Sequence, residues 1–296
     1  MMRTPPRRSR GAALLLVLWL IVLLTALVGG FAVAARVENL QARVLVRGLV
    51  AQNAARAGME FALTRVTSTD PRLQWKPDGR GYRWNYDGAD VEVKLVDENG
   101  KLDLNQAEPQ LLAALLQGAG AEQAQAARLA AAIVDWRDPD QLTQPAGGGE
   151  DGDYAAAGLP YGAKDMEFES VAELQQVLGM TPELYARVEP HLTIYSGRTR
   201  PDPTFASAQV LDAMGMNGAE TVAQRERGPG GTAPQDGTLP LAGMAGDSSG
   251  TYSIQSRARL ADGRESVLRV VVRAGGGAMP GMAYTPLRWE EGASPR

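Results

Sequence analysis

The chain has 296 residues, a formal net charge of −4, a single histidine and no cysteine. The absence of cysteine excludes disulfide bonds and thiolate metal sites. The small negative charge gives no global electrostatic basis for binding nucleic acid, and one histidine argues against His-rich metal sites and His-based catalysis. This length accommodates a membrane segment together with one large or two modest globular units.

The N-terminal stretch from Gly11 to Ala35 is apolar and contains no charged residue. A helix of this length covers the ~30 Å hydrocarbon core of a bilayer. The first ten residues contain four arginines and no acid, which predicts a cytoplasmic N-terminus and places the rest of the chain on the other side. Three interpretations fit this stretch: a plain anchor, a signal peptide cleaved after Ala34, and a prepilin-type leader cut between Gly11 and Ala12.

Two observations favour the third interpretation. The apolar run exceeds the ~7–15 residues of a signal-peptide core. Residues 36–66 then alternate apolar and charged side chains at helical spacing, without proline. The pattern predicts one helix of ~80 Å, apolar in its first half and amphipathic in its second.

Strand signals follow a loop at residues 67–80. Residues 81–87 and 91–96 alternate polar and apolar side chains, and Asn99-Gly100 is a hairpin signal because both residues tolerate positive φ. Residues 101–105 are then the predicted return strand, so a long helix is followed by an antiparallel meander.

Helical patterns dominate from residue 108 onward. A helix, a glycine-containing turn and a second helix recur at residues 111–133, 171–192 and, more weakly, 207–227. This resembles helix-hairpin-helix or SAM-like packing. Such turns can offer backbone amides to phosphate, but glycine can equally well end one helix while Thr181 or Asn217 caps the next.

An acidic loop lies between the first two copies. Carboxylates among glycine and proline suit calcium, which takes six to eight oxygen ligands, although no EF-hand spacing is present. The alternative is a solvated acidic loop. The candidate ligands are Asp138, Asp140, Glu150, Asp151 and Asp153.

A second hairpin signal begins at Tyr252. Residues 252–260 alternate, Asp262-Gly263 forms the turn, and residues 265–273 are rich in valine. These strands would complete the sheet begun at residue 81. The predicted fold is therefore α+β: a long N-terminal helix and an antiparallel sheet interrupted by a large all-α insertion. We expect the segment after residue 274 to be a flexible tail carrying Tyr284, Leu287 and Trp289.

The start of the chain resembles type IV pilins and the pseudopilins of type II secretion, because Arg10-Gly11 precedes an apolar helix that becomes amphipathic. Leu16 stands where most of these proteins carry Glu as the fifth mature residue. That departure is typical of the minor pseudopilin K family. The insertion-domain pattern of this family also resembles residues 97–111 and 135–180.

The resemblance implies the processing site, the partners and the location. The prepilin peptidase would cut after Gly11 and methylate Ala12, and the chain would reside in the bacterial inner membrane with its bulk in the periplasm. It would join the I, J and H minor pseudopilins, and the inner-membrane secretion platform, at the tip of the pseudopilus. Its helix would pack on partner helices through a stripe that includes Leu16, Val37, Leu40 and Val44. Some family members bind calcium.

The resemblance also implies a division of the chain and an assembly role rather than catalysis. The expected segments are leader 1–11, helix 12–66, first sheet part 67–105, helical insertion 106–250, second sheet part 251–274 and tail 275–296. Two alternatives belong to other classes: a membrane-anchored helix-hairpin-helix module that binds nucleic acid or a periplasmic partner, and a periplasmic hydrolase with an uncleaved anchor.

Overall fold

The computed structural model describes residues 10–227, 248–275 and 283–292. One helix, α1, runs from Arg10 to Val66 and has a length of ~85 Å at ~1.5 Å per residue. Within the described residues it is the one helix long and apolar enough to cross a membrane. The predicted leader falls largely on residues 1–9, which lie outside the described part.

The helix α1 changes its surroundings along its length. Residues 13–47 are all exposed. From Ala51 onward one face is buried, with small or apolar side chains spaced three or four residues apart, as expected for a helix that packs on one side. The buried residues of this face are Ala51, Ala54, Ala55, Gly58, Met59, Ala62, Leu63 and Val66.

This buried face packs against an antiparallel five-stranded sheet with strand order β1-β2-β5-β6-β7. The central strands turn alternate residues towards α1, which produces the period-two burial of a sheet covered on one face. The strands are β1 (Asp78–Tyr86), β2 (Ala89–Asp97), β5 (Thr251–Arg259), β6 (Glu265–Ala274) and β7 (Tyr284–Gly292).

The meander predicted around Asn99-Gly100 is wrong. The hairpin lies one strand earlier, between β1 and β2, at Asp87-Gly88, where both residues have positive φ as a two-residue turn prefers. Residues Glu98–Gly100 form a 3₁₀ turn instead, because the Asp97 carboxylate accepts the Asn99 amide at 2.9 Å.

The segment predicted as the return strand does not join the large sheet. Its residues Leu102–Asp103 form a short strand, β3, that pairs in parallel with β4 (Leu192–Thr193) inside the insertion. The free edge of β2 is taken by β5, with Asp97 opposite Tyr252. A long-range pairing therefore replaces the local one.

The insertion between β2 and β5 is helical and has its own apolar core. The first predicted helical hairpin forms from α2 and α3, and the third from α6 and α7. The second opens with a 3₁₀ helix, Val171–Gln176, rather than an α-helix. The α-helices are α2 (Pro109–Gly118), α3 (Gln123–Arg137), α4 (Asp151–Ala156), α5 (Pro182–Val188), α6 (Ala208–Ala213) and α7 (Gly218–Arg227).

Buried polar side chains join the insertion to the sheet. The Asp97 carboxylate also accepts the Ser248 hydroxyl at 2.6 Å and the Ser249 amide at 3.1 Å, so it ties the outgoing chain to the returning chain. Glu98, 1% exposed, accepts hydrogen bonds from the hydroxyls of Thr193 and Ser253 and forms an ion pair of 2.9 Å with Lys101.

The two ends of the sheet have different neighbours. The loop between β5 and β6 reaches α1 at Arg47, near the exposed half of that helix. Because β2 and β5 run antiparallel, Asp97 and Tyr252 lie at the opposite end, where the insertion begins and ends. The insertion therefore sits at the end of the sheet away from the exposed apolar helix.

The C-terminal segment is not a flexible tail over its described residues. Tyr284–Gly292 forms β7, the fifth strand of the sheet, paired with β6. Arg288 reaches from β7 to Glu189 of the insertion at 2.9 Å, and the Arg56 guanidinium of α1 lies 5.7 Å from the centre of the Trp289 ring.

The contact between α1 and the sheet is closest at Gly58. A Cβ atom at this position would lie against Ser256 Oγ and 2.6 Å from Val91 Cγ1, whereas one at Gly48 would have nothing within 4 Å. We expect Gly58→Leu to lower the free energy of unfolding by about 1–3 kcal/mol, because overpacking forces helix and sheet apart. Gly48→Ala should be neutral or slightly stabilising. Denaturant unfolding of the full chain in detergent measures both, and equal stability of Gly58→Leu and wild type would contradict the close packing.

Candidate functional site

Three carboxylates from two elements converge in the insertion. Asp135 and Asp138 lie one turn apart at the end of α3, and Glu150 immediately precedes α4. One oxygen from each lies within 4.8 Å of the others. Oδ1 of Asp138 and Oε1 of Glu150 are buried without a hydrogen-bond partner. No described lysine or arginine forms an ion pair with any of the three.

A fourth carboxylate, Asp165, belongs to the same surroundings. Its Oδ1 is also buried without a partner, and its charge contributes to raising the pKa of both Asp138 and Glu150. Asp165 has a positive φ of 54°, which is uncommon for a residue other than glycine. The backbone here holds an unpartnered carboxylate in place beside other acids.

Two glycines bring the loop before Glu150 down onto Asp135. The Gly149 amide donates to Asp135 Oδ2 at 2.8 Å, and a Cβ atom at Gly148 would overlap that same oxygen. Tyr154 packs beneath the loop, fully buried, and its hydroxyl accepts the Leu178 amide at 3.0 Å. The loop is thus built to keep the acids together.

Burial and mutual repulsion determine the protonation of these acids. Desolvation, followed by the charges of the neighbouring acids, raises the pKa of Glu150 to about 7. Desolvation also raises the pKa of Asp135 and of Asp138. Each shift disfavours the charged form, which is the usual consequence of like charges crowded in a buried place without a cation.

The five acids predicted from the sequence fall into two groups. Asp138 and Glu150 belong to the buried cluster. The other three lie outside the cluster: Asp140 accepts the Leu142 amide at 2.8 Å, Asp153 accepts the Glu150 amide at 3.1 Å, and Asp151 lies against Gly162. Helix α4, which the loop-like sequence did not predict, turns Asp151 and Asp153 into first-turn residues, where acids are favoured by the helix dipole.

Sequence reasoning missed Asp135 and Asp165. Asp135 stands among apolar residues at the end of a helix, three residues before Asp138, and that spacing places both on one helix face. A buried acid in an apolar helical run is the signal that could have found it, because acids are rarely buried without a partner.

The cluster offers oxygen donors of the kind that a hard divalent cation prefers. Two of its carboxylate oxygens, Oδ1 of Asp138 and Oε1 of Glu150, are buried without a hydrogen-bond partner, and a bound cation would supply the missing positive charge. The chemistry of this donor set, all oxygen with no sulfur or imidazole, fits calcium better than zinc or copper.

The four residues predicted to contact partner helices are exposed. Leu16 is 71% exposed, and Val37, Leu40 and Val44 are about half exposed. The processing residues Gly11 and Ala12 lie in the first turns of α1.

In the first and third helical hairpins, amides of the turn are engaged within the insertion. In the α2–α3 turn, the amides of Ala119, Gly120 and Ala121 all donate to carbonyls of the preceding helix. In the α6–α7 turn, the Gly218 amide donates to Asp212 Oδ1 at 2.8 Å. The glycines close helices, and these contacts give no support to phosphate binding.

Comparison with known sequences shows which proteins the chain is similar to. The family model described as "Type II secretion system (T2SS), protein K" matches residues 93–197. The type II secretion system protein K of Klebsiella pneumoniae is 28% identical over 215 residues, which cover 65% of this chain and 64% of that protein. The protein K of Pectobacterium carotovorum is 25% identical over 254 residues, covering 74% of this chain and 75% of that protein.

Residues 93–197 thus match the protein K family of type II secretion, and the chain is similar to two members of that family over most of its length.

A solved structure shares the fold. It is described as the crystal structure of the GspK–GspI–GspJ complex from the type II secretion system of enterotoxigenic Escherichia coli. The match has a TM-score of 0.56 at 17% identity and covers 88% of this chain and 99% of the other. The predicted fold class, a long apolar helix with a sheet and a helical insertion, and the predicted resemblance to protein K are thus confirmed.

The protonation of Glu150 makes stability depend on pH. The pKa of Glu150 is about 7 in the folded protein and about 4.5 ordinarily, so the folded state holds a proton that the unfolded chain releases in that interval. In the presence of a chelator, we expect the free energy of unfolding to fall as the pH rises from ~4.5 to ~7. At pH 7.5, the free energy of unfolding of Glu150→Gln should exceed that of the wild type by on the order of 1–3 kcal/mol. Thermal unfolding measures this, with exposed Glu122→Gln as a control; a Glu150→Gln variant less stable than wild type at pH 7.5 would refute it.

Proposed function

We propose that this chain is a minor pseudopilin that assembles at the tip of the type II secretion pseudopilus. The observation that carries the proposal is the placement of two parts of a chain that is similar to protein K. The apolar half of α1 is exposed along its length, and the helical insertion lies at the opposite end of the sheet. The apolar half of α1 can enter a bundle of similar helices. At the other end of the molecule, the insertion is too bulky for another subunit to pack onto it in the same way.

Helix packing is the proposed mechanism. Before assembly, the apolar part of α1 lies in the inner membrane and the globular part in the periplasm. On assembly, the exposed stripe of α1 exchanges lipid for the helices of neighbouring subunits, through side-chain packing of the kind that joins helices in membranes. A neutral Leu16 suits a subunit with no neighbour above it, because an unpaired charge in an apolar bundle is costly.

The proposed partners are other minor pseudopilins. The structure that shares this fold is a complex of GspK with GspI and GspJ, and these types are the first candidates here. We extend the proposal to the H type, the inner-membrane platform and the prepilin peptidase. The role is assembly, with no catalytic step.

We also propose that the acidic cluster holds calcium. Asp135, Asp138 and Glu150 would be its ligands, with Asp165 close enough to share the charge. The cation would neutralise carboxylates that otherwise repel each other, and so fix the loop before α4 against α3. Its contribution is to the rigidity of the insertion.

Calcium should therefore stabilise the protein at pH 7.5. We expect the unfolding temperature to rise with calcium concentration. At a calcium concentration one hundred times the dissociation constant, the free energy of unfolding should be higher by about 2.7 kcal/mol. Asp138→Asn should abolish this dependence, while Glu122→Gln should retain it. An unfolding temperature that stays constant up to millimolar calcium in wild type would exclude the site.

The pseudopilin class is tested by the N-terminus of the mature protein. We expect its N-terminal peptide, measured by mass spectrometry, to begin at Ala12 with one added methyl group, and to lose both features in cells without prepilin peptidase. The mature chain should also co-purify with the I and J types. A start near Arg36 would indicate a signal peptide, an unprocessed start would indicate a plain anchor, and either result would refute the assembly role.

A further inference from the structure

The loop between β5 and β6 contacts α1 through charged side chains. Arg47 Nη1 of the helix lies 2.5 Å from Asp262 Oδ2 at the tip of the loop. From the same loop, Arg264 Nη1 donates to the backbone carbonyl of Val44 at 2.5 Å, and its Nε lies 3.7 Å from Asp262 Oδ2. Asp262 is thus held between one arginine from each element.

This contact lies just outside the packed part of α1. Every residue from Ala13 to Arg47 is exposed, and the first buried residue of the helix is Ala51. Arg47 therefore precedes the buried face by about one turn, and Val44 by about two. The charged contacts secure a part of the helix that core packing does not reach.

Gly48 lies between the charged contact and the packed helix. Nothing lies within 4 Å of the position that a Cβ atom would take there, so no neighbouring element packs against that side of the backbone. Glycine is among the poorest helix formers, so the helix resists bending least at this residue. The β5–β6 loop contacts α1 at Val44 and Arg47, before Gly48, and the packing of α1 on the sheet begins at Ala51, after it. The loop therefore supports the helix across its least stiff residue.

We propose that the β5–β6 loop is a brace that holds the exposed half of α1 in line with the body, and that α1 bends at Gly48 when the brace opens. The brace consists of exposed charges, so it opens far more readily than the packed contact above it and weakens with salt. The brace itself follows from the contacts alone. Its use, which is to let the helix tilt as the subunit passes from bilayer to bundle, rests on the proposed function.

Distance measurements between two spin labels test the brace. The chain has no cysteine, so Val33→Cys on the helix and Lys94→Cys on β2 can be labelled specifically. In the full chain in detergent micelles, we expect a narrow distance distribution. The double variant Arg47→Gln/Arg264→Gln should broaden it by roughly twofold, because loss of both contacts frees the helix to bend. Arg43→Gln, which removes an arginine one turn below Arg47, should leave it unchanged.

A third variant locates the bend. Adding Gly48→Ala to the double variant should narrow the distribution again, since alanine stiffens the helix where there is room for its side chain. An unchanged distribution in the double variant would overturn the brace, and a distribution that stays broad after Gly48→Ala would overturn the bend at Gly48. Neither result depends on assembly, so failure of the brace is distinct from failure of the proposed function.

Discussion

The close approach of α1 to its own sheet is the contact on which the rest of the structure depends. Gly58 brings the helix backbone against Val91 and Ser256, and alanines above and below it keep the two elements close. Because this face is small and apolar, the helix is anchored by its last sixteen residues, from Ala51 to Val66. Residues 13–47 remain exposed, and the β5–β6 loop contacts them at Val44 and Arg47. One helix therefore serves as part of the core at one end and as an exposed apolar rod at the other.

The second constraint is the pairing of β2 with β5. Since these strands are neighbours, the chain can leave the sheet at Asp97 and return at Tyr252 without disturbing it. The insertion needs its own core, which α2 to α7 provide, and buried Asp97 and Glu98 hold it at the end of the sheet where the chain leaves and returns. An orientation held by buried charge-assisted hydrogen bonds is specific, because leaving either carboxylate unpaired would be costly.

Local patterns predicted the elements whose partners are close in the sequence. The apolar-to-amphipathic run of α1 and the Asp262-Gly263 hairpin are of this kind. Asn99-Gly100 led to a wrong prediction because the strand that pairs with the second edge of β2 is β5, over 150 residues away. A turn signal carries no information about such a pairing. The strand β7 was missed because Pro286, next to an irregularity in the β6–β7 register, and the preceding glycines are typical of a tail.

The candidate site, like the fold, could be predicted from the sequence only in part. The acidic loop was visible as composition, but composition could not tell which carboxylates are buried. Asp140 and Asp151 looked as suitable as Glu150. Only the fold shows that Asp151 lies in the first turn of α4 and that Asp140 accepts the Leu142 amide. Asp135 was hidden because an acid in a helix is ordinarily a surface residue. Its role appears only once Gly148 and Gly149 bring the loop onto it.

The position of the chain within the filament tests the central claim most directly. Leu142 of the insertion is 74% exposed, and the chain has no native cysteine, so Leu142→Cys can be labelled with maleimide gold in isolated pseudopili. Electron microscopy should show gold at one end of each filament and nowhere along its length. Gold spaced regularly along the filament would show that the insertion is accommodated between subunits, and would contradict the tip assignment.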